Sequence, residues 1–474
     1  MNPVRREDPE QALALGEFID ASPSPYHAVS ACLGLLTEAG FTVLDERRRW
    51  PAEPGRYAVV RGGALVAWST EALGGTGAQA GVWPAGAGFT VVGGHTDSPN
   101  LRLKPRPDRE SAGWDMLGVE VYGGPLLHTW FDRDLGISGR AAVRDDSPAG
   151  YAMRLFRDDS PLLRVANLAI HLDRSSGDGS APLDRQAHLA PLWGATGGGS
   201  FRDWLADRLE VRPADVLAFD AMTHDLTPSA VLGRDGDLLA APRLDNLATA
   251  YAATVALVRA VTDPSADGAS RPASDAAGDV NRAPGLHRAP QVPVLALFDH
   301  EEIGSLTRSG GQSQLLPAVL ERIVLAAGGD RADVLEALAS TLVCSADMAH
   351  ATHPNRADRH EPQHHIAVGG GPVLKVNAQG RYASDAVGAA AFALACERAG
   401  VPMQTYAHRT DLPCGSTIGP MSAALTGAVT VDVGAPMLSM HSARELMGVA
   451  DVGMYVGALS AVFGADVVAP GRLA

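Results

Sequence analysis

An apolar segment that runs directly into four titratable residues constrains this chain more than any other feature. Residues 292–298 read VPVLALF, and Asp299, His300, Glu301 and Glu302 follow at once. A short apolar run of this kind is typical of a strand buried in a sheet. Placing adjacent carboxylates at the end of such a strand is costly unless they bind a cation. One carboxylate could ligate a divalent ion while its neighbour acts as general base; the alternative is a solvated acidic loop.

A second predicted strand also ends in residues suited to metal chemistry. Residues 89–93 lead through Gly94 to His95 and Asp97. A histidine at the carboxyl end of a buried strand can point one ring nitrogen into a cleft. Asp97 can accept a hydrogen bond from the other ring nitrogen, which fixes the tautomer. The alternative is a loop histidine paired with an aspartate for structural reasons.

Three further residues complete a candidate ligand set. Asp245 opens a predicted helix, where it could cap the helix or bridge two metal ions. Asp347 lies just past a predicted strand, where it could equally be a turn residue, and His441 lies in a short polar break that has a structural reading too. Together the five positions give two histidines and three carboxylates, with a spare glutamate beside one of them. Such a set suits two ions about 3.5–4 Å apart that share one carboxylate.

The periodicity predicts an α/β domain formed by residues 1–102 and 241–474. Helices are predicted within residues 10–40, with a break at 22–25, and at 244–262, 315–327, 384–399 and 449–463. Strands are predicted at 57–60, 65–68, 89–93, 292–298, 341–345 and 429–433. Strand ends followed by polar turns are where open α/β sheets place ligand-binding groups.

The sequence pattern changes over residues 103–240 and predicts an inserted β-rich domain. Short alternating segments at 119–122, 137–143 and 165–172 are separated by Gly, Pro and Asp. Residues 263–291 are rich in Ala, Ser, Asp, Pro and Gly and lack apolar periodicity, so a flexible surface insertion is expected there.

Bulk properties exclude several classes of function. The net charge of −15 argues against nucleic-acid binding, which needs a basic face. No segment approaches the roughly 20 apolar residues of a membrane span. The N-terminal residues do not resemble a signal peptide, and the four cysteines have no disulfide or CxxC spacing. A cytoplasmic protein is therefore expected.

Eight motifs follow one another along almost the whole chain: GGHTDSPNLRLKP (93–105), NLAIHLDR (167–174), PRLDNL (242–247), FDHEEIGS (298–305), SADMAHATHPN (345–355), GPVLKVNAQGRYASD (371–385), TDLPCGSTIGP (410–420) and MLSMHSARE (437–445). As an ordered set they resemble the M18 metallopeptidase family, the aspartyl aminopeptidases. The resemblance implies a two-zinc α/β peptidase domain, with a mixed sheet flanked by helices, that is interrupted by a β-rich oligomerisation domain. It also implies homo-oligomers, in this family dodecamers.

The resemblance further implies removal of N-terminal residues, preferentially Asp or Glu, from peptide substrates by a metal-activated water. Glu301 would be the general base, and Asp245 would bridge two zinc ions. The implied ligands are His95, Asp245, Glu302, Asp347 and His441. Cobalt or manganese could substitute, since both accept nitrogen and oxygen ligands.

The resemblance also implies roles for four other residues. His171 would reach a neighbouring subunit's active site and stabilise the oxyanion or the substrate, with a zinc-ligand role or a plain strand histidine as alternatives. Lys375 would meet an acidic substrate side chain, unless it is a surface lysine. Tyr382 and His350 are further pocket candidates.

Two other functions compete with this reading. One is a two-zinc amidohydrolase that acts on N-acyl amino acids, and the other is an inactive assembly protein that keeps the fold. The intact Glu301 and ligand set argue against the second. A serine hydrolase is disfavoured because residues 415–419, GSTIG, lack the G-x-S-x-G elbow.

Overall fold

The computed structural model describes residues 8–74, 83–172, 183–262 and 291–464. The helices of these residues are α1 Asp8–Asp20, α2 Pro25–Glu38, α3 Glu71–Gly74, α4 Phe201–Arg208, α5 Leu244–Thr262, α6 Leu315–Ala326, α7 Arg331–Ala339, α8 Ala386–Ala399, α9 Ile418–Thr426 and α10 Val449–Phe463. The strands are β1 Thr42–Val43, β2 Arg56–Arg61, β3 Ala64–Ser69, β4 Gly88–His95, β5 Asn100–Ser111, β6 Trp114–Tyr122, β7 Leu135–Arg144, β8 Tyr151–Leu163, β9 Leu192–Ala195, β10 Val216–Asp225, β11 Ala230–Leu232, β12 Leu238–Ala241, β13 Gln291–Phe298, β14 Leu342–Ala346, β15 Ala349–His350, β16 Val373–Val376, β17 Gln404–Ala407, β18 Val429–Gly434, β19 Pro436–Leu438 and β20 Glu445–Gly448.

A nine-stranded mixed sheet forms the centre, in the order β1-β2-β3-β13-β4-β14-β18-β16-β17. Strand β4 is buried along its whole length and runs parallel to both β13 and β14. Side chains of α1, α2, α5, α8 and α10 pack on one face of the sheet, and those of α6, α7 and α9 pack on the other. Burial on both faces explains why β4 and β13 read as continuous apolar runs.

A six-stranded antiparallel sheet, in the order β8-β7-β10-β5-β6-β9, packs with α4 around a core of its own. A five-stranded sheet joins β11 and β12 to β20, β19 and β15. The boundaries 103–240 of the inserted domain stay a prediction. Of the expected flexible insertion, residues 263–290 lie outside the described residues, and Gln291 begins β13.

The strand predicted at residues 165–172 is wrong. Arg164 and Val165 form only isolated bridges, and residues 170–172 form a turn. The side chains of Leu168, Ile170 and Leu172 are exposed. The alternating apolar residues imitate a half-buried strand, but they face solvent in this chain.

Among the described helices, none combines the length and the hydropathy needed to cross a membrane.

Candidate metal centre

The topology brings three predicted site segments to one edge of the central sheet. His95, the last residue of β4, pairs with Phe298, the last residue of β13. The carboxyl ends of parallel strands meet at the same edge, so the residues after β13 and β14 lie beside His95. Glu302 follows β13 in this way, and Asp347 directly follows β14.

Five side chains form two connected groups at this edge. In the first, His95 Nε2 lies 3.4 Å from Asp245 Oδ1 and 3.5 Å from Asp347 Oδ1. In the second, His441 Nε2 lies 3.5 Å from Asp245 Oδ2 and 3.4 Å from Glu302 Oε2. These distances exceed a normal hydrogen bond. Two ligands about 2.1 Å from one tetrahedral ion are separated by about 3.4 Å. Each group therefore has the spacing of ligands around a metal ion, and Asp245 gives one oxygen to each.

Both histidine rings are held by a main-chain carbonyl. His95 Nδ1 lies 2.9 Å from the carbonyl oxygen of Asp97, and His441 Nδ1 lies 3.0 Å from that of Gly124. Donation from Nδ1 leaves the lone pair on Nε2 free to bind a metal. The expected contact from the His95 ring to the Asp97 carboxylate is longer, at 3.5 Å, so the carbonyl is the closer acceptor.

The residues present fit divalent cations. Asp245 Oδ1 and Glu302 Oε1 are buried and have no hydrogen-bond partner among the described residues. One ligand atom from each of His95, Asp245 and Glu302 lies within 4.8 Å of the others. Buried carboxylate oxygens without partners are costly, and a cation removes that cost. Nitrogen and oxygen donors of this kind suit zinc and also accept cobalt or manganese.

The pKa values of the cluster also indicate a cation site. Burial alone would lower the pKa of His441, but the nearby carboxylates of Asp245 and Glu302 raise that pKa to about 10. Burial likewise opposes the charged form of His95, yet Asp245 and Asp347 raise its pKa well above the usual value. Burial also raises the pKa of Glu302 well above its usual range. The cluster thus holds protons where a cation would otherwise balance its negative charge.

Glu301 lies beside the ligand groups in the turn Glu301–Ile303. Burial, partly opposed by His95 and assisted by Asp347, raises the pKa of its carboxyl group to about 8. It is adjacent to Glu302 but makes none of the four close contacts that define the two groups. This position suits a group that moves a proton next to the metal ions.

Asp97 holds this turn through hydrogen bonds. Its fully buried carboxylate accepts hydrogen bonds from the backbone N–H groups of Glu301, at 3.1 Å, and Glu302, at 3.2 Å. The hydroxyl of Tyr122, at the end of β6, donates to the same carboxylate at 2.7 Å. Asp97 therefore fixes the backbone of the two glutamates, and the six-stranded sheet supplies one of its partners.

Glu445 is a site residue that the sequence reasoning missed. Its carboxylate accepts hydrogen bonds from the backbone N–H groups of Asp245, at 2.9 Å, and His441, at 2.6 Å. Burial, strengthened by the charge of Asp245, raises the pKa of Glu445 to about 8. A charged residue that opens an otherwise apolar strand, ELMG, was the available signal.

Lys375 is buried, at 2% exposure, so the surface-lysine alternative is wrong. Its Nζ donates to the carbonyl oxygens of Asp347, at 3.2 Å, and Met348, at 3.3 Å, and lies 3.9 Å from the Asp347 carboxylate. The ring of Tyr382 lies 5.2 Å from the same Nζ. The ring of His350 meets that of Tyr406 edge-on at 6.1 Å. Lys375 thus lies next to Asp347, with Tyr382 beside it.

His171 lies apart from this cluster. It occupies the turn of residues 170–172, where its side chain is exposed. Among the described residues, no ion pair joins it to any of the five candidate ligands.

Metal-free protein is expected to lose thermal stability as the pH rises from about 6.5 to 9. A pKa raised in the folded state contributes stability that is complete below the unfolded value and is lost as pH rises through the folded value. Glu301 and Glu445, raised from 4.5 to about 8, and His441, raised from 6.5 to about 10, all act in this direction. The window starts at 6.5 because His350, whose pKa is lowered to about 4, is neutral in both states above it.

Bound zinc takes the place of these protons, so zinc-loaded protein is expected to show a much smaller decrease. Differential scanning fluorimetry at stepped pH, with and without chelator, measures both slopes. Equal slopes for the two forms would contradict the expectation.

Comparison with known proteins agrees with this geometry. A family model described as Aminopeptidase I zinc metalloprotease (M18) matches residues 18–463. A Mycobacterium bovis protein named probable M18 family aminopeptidase 2 is 53% identical over 462 residues, which cover 96% of this chain and 98% of that protein.

Solved structures agree as well. A chain in the Ape4 and Nbr1 complex aligns with a TM-score of 0.86 and 34% identity, over 98% of this chain and 88% of that chain. The S. cerevisiae mApe1 dodecamer aligns with a TM-score of 0.78 and 27% identity, over 96% of each chain. The chain therefore belongs to the M18 family of zinc metalloproteases and is an aminopeptidase, a hydrolase that acts on the N-termini of peptides.

Proposed function

We propose that this aminopeptidase uses two zinc ions and prefers peptides that begin with Asp or Glu. His95 and Asp347 would hold one ion, Glu302 and His441 would hold the other, and Asp245 would contribute to both. The main support for the proposal is the position of the Asp245 carboxylate. Its two oxygens lie 3.4 Å and 3.5 Å from the Nε2 atoms of two different histidines.

Bound zinc supplies Lewis-acid chemistry, which lowers the pKa of water and polarises a carbonyl group. Glu301 accepts the proton of the attacking water and delivers it to the nitrogen of the leaving amine. Asp97 keeps Glu301 in place through its backbone N–H. Burial of the site limits competition from bulk water, which strengthens every charge interaction within it.

The acidic preference rests on Lys375. The chain has two lysines, Lys104 and Lys375, so its surface cations are almost all arginines. Lys375 is buried next to Asp347, with two carbonyl oxygens as its hydrogen-bond acceptors. An ammonium group has three donors, so one remains for a substrate carboxylate. A buried cation facing the site is a strong attraction for an acidic side chain.

Lys375→Met is expected to lower kcat/KM on Asp- and Glu-initiated peptides by about 10- to 100-fold, because a charge-assisted contact of about 1.5–3 kcal/mol is lost. Leu-initiated peptides should change little. The measurement is a panel of Asp-, Glu- and Leu-initiated substrates and their N-acetylated forms, with chelated, zinc-reconstituted and variant protein.

Lys104→Met is the matched control, since Lys104 is the other lysine and contacts Gln186 at the surface of the six-stranded sheet. Equal losses on Leu-initiated substrates, or a reduced zinc content, would show that Lys375→Met damages Asp347 instead. Activity on the N-acetylated peptides would contradict recognition of a free N-terminus.

We further propose that the chain assembles into homo-oligomers, with a dodecamer as the expected size. The aligned mApe1 structure is a dodecamer. Leu168, Ile170 and Leu172 surround His171 and are exposed in the single chain, and contiguous exposed apolar residues mark an interaction surface. Burial of this turn against a second copy would carry His171 to the neighbour's site. A monomer in sedimentation velocity would contradict this.

The proposed location is the cytoplasm. Each of the four cysteines is a free thiol, and three are buried. Free thiols are typical of a reducing compartment. Recovery of the protein in a secreted or membrane fraction would overturn the assignment.

A further inference from the structure

Glu445 is a buried acid that the proposed mechanism does not use. It opens β20 and is 2% exposed. One carboxylate oxygen, Oε2, accepts the backbone N–H of Asp245 at 2.9 Å, and the other, Oε1, accepts the backbone N–H of His441 at 2.6 Å. A single side chain therefore links two residues of the site that are far apart in the sequence.

Both of these residues stand where regular structure does not hold the backbone. His441 has a φ of 67°, a left-handed conformation that non-glycine residues rarely adopt. Asp245 has non-helical backbone angles of φ −84° and ψ 106° at the start of α5. The left-handed conformation of His441 persists only when its surroundings fix it, whereas the angles of Asp245 are ordinary extended ones that the following helix does not hold. The Glu445 carboxylate bonds to the N–H groups of both residues and so ties their backbones together.

A buried carboxylate could instead serve only to satisfy backbone N–H groups. Asp451 provides an example of that simpler role. It is fully buried, and its two oxygens accept the backbone N–H groups of Gly369, at 2.7 Å, and Gly371, at 2.9 Å. Asp451 thus has the same chemistry and burial as Glu445, but its partners are glycines outside the ligand groups.

We infer that Glu445 is a positioning residue for the second zinc, the one assigned to His441, Glu302 and Asp245 Oδ2. This inference rests on the proposed function, because it takes those three residues as ligands. His95 and Asp347, which hold the first zinc, make no hydrogen bond to Glu445 among the contacts of the described residues. Glu445 holds two of the second zinc's three ligands, His441 and Asp245, but only Asp245 among those of the first, so its loss should weaken the second zinc more than the first.

The test compares Glu445→Gln with Asp451→Asn in full-length protein. A carboxamide keeps one acceptor oxygen and turns its other end into a donor, so Glu445→Gln breaks one of the two hydrogen bonds. Titration of chelated protein with zinc, against a competing indicator, is expected to give two tight sites in the parent. Glu445→Gln should keep one of them and weaken the other about 10- to 100-fold, the usual cost of losing a partner that orients ligands. Asp451→Asn should bind both ions as the parent does, although its melting temperature falls.

Parental affinity at both sites in Glu445→Gln, or equal loss of zinc in both variants, would overturn the inference. Glu445→Asp, which keeps the charge but shortens the reach, serves as the second variant and should weaken the same single site. If both Glu445 variants failed to fold while Asp451→Asn folded, Glu445 would have a folding role, and the inference would also be overturned. A parent that binds fewer than two zinc ions would instead contradict the proposed function.

Discussion

Glu301→Gln should lower kcat by about two to four orders of magnitude while both zinc ions stay bound, the range assigned to general acid–base catalysis. The substitution preserves the size of the side chain and removes only its ability to take up a proton. The backbone N–H that Asp97 holds is unchanged, so the turn should keep its shape. Steady-state kinetics together with metal analysis by mass spectrometry measure the two effects separately.

Glu302→Gln is the matched control, because it makes the same chemical change one residue along the chain. Glu302 Oε2 lies 3.4 Å from His441 Nε2, so this variant should lose zinc as well as activity. If Glu301→Gln kept near-parental turnover with full metal content, the general-base role would be wrong. Loss of zinc from Glu301→Gln would make Glu301 a ligand.

Asp245→Asn should remove tight binding of both zinc ions and reduce activity to background. Each oxygen of this carboxylate faces a different histidine, so this one substitution removes a ligand from both groups. A neutral amide cannot replace a charged ligand shared by two cations. The stabilisation that zinc gives, about 2.7 kcal/mol for each site when free zinc is 100-fold above Kd, should also disappear. Zinc titration followed by thermal melting measures both losses.

Asp347→Asn provides the comparison for this prediction. Asp347 Oδ1 contacts His95 alone among the two histidines, so one zinc should remain. Two tight sites in Asp245→Asn would contradict the sharing of Asp245. Identical metal content in the two aspartate variants would mean that the ions bind as one cooperative unit.

Much of the central sheet could be predicted because its strands are buried on both faces. The apolar runs before His95 and Glu301 were visible, and parallel neighbours bring their ends together whatever the order of the other strands. The position of β13 between β3 and β4 was not readable, since it depends on contacts between distant segments. Helices α7 and α9 and strands β16 and β17 were missed because they are short and weakly periodic.

Some residues of the candidate site could likewise be predicted from the sequence, and others could not. Three of the proposed ligands, His95, Glu302 and Asp347, carry their own chemical signal, a metal-binding side chain at or after the end of an apolar strand. Tyr122 and Glu445 act by hydrogen bonds to other residues of the site, and nothing in their local sequence names those partners. The burial of Lys375 also could not be read from residues 373–376, because a lysine in a short strand is usually exposed.

The relatives of this chain bear on the competing functions. The family match and the 53% identical relative are those of aminopeptidases, so the N-acyl amidohydrolase and the inactive assembly protein lose their support. A serine hydrolase is also disfavoured, because Thr417 occupies the position that the nucleophilic serine would take in residues 415–419. Thr417 caps helix α9, and its hydroxyl donates to the buried Asp432.

The end of β6 bears on how this enzyme could be re-engineered. Tyr122 holds Asp97, the carbonyl of Gly124 holds the ring of His441, and the N–H of Leu126 donates to the carbonyl of His441. Gly123 has a φ of 72°, and a Cβ there would lie 3.2 Å from Cβ of Glu302. Residues 122–126 thus belong to the catalytic unit although they continue a strand of the other sheet. A truncated enzyme without the six-stranded sheet, or a chimaera joined before residue 122, would have to rebuild these contacts, so the two sheets must be exchanged together.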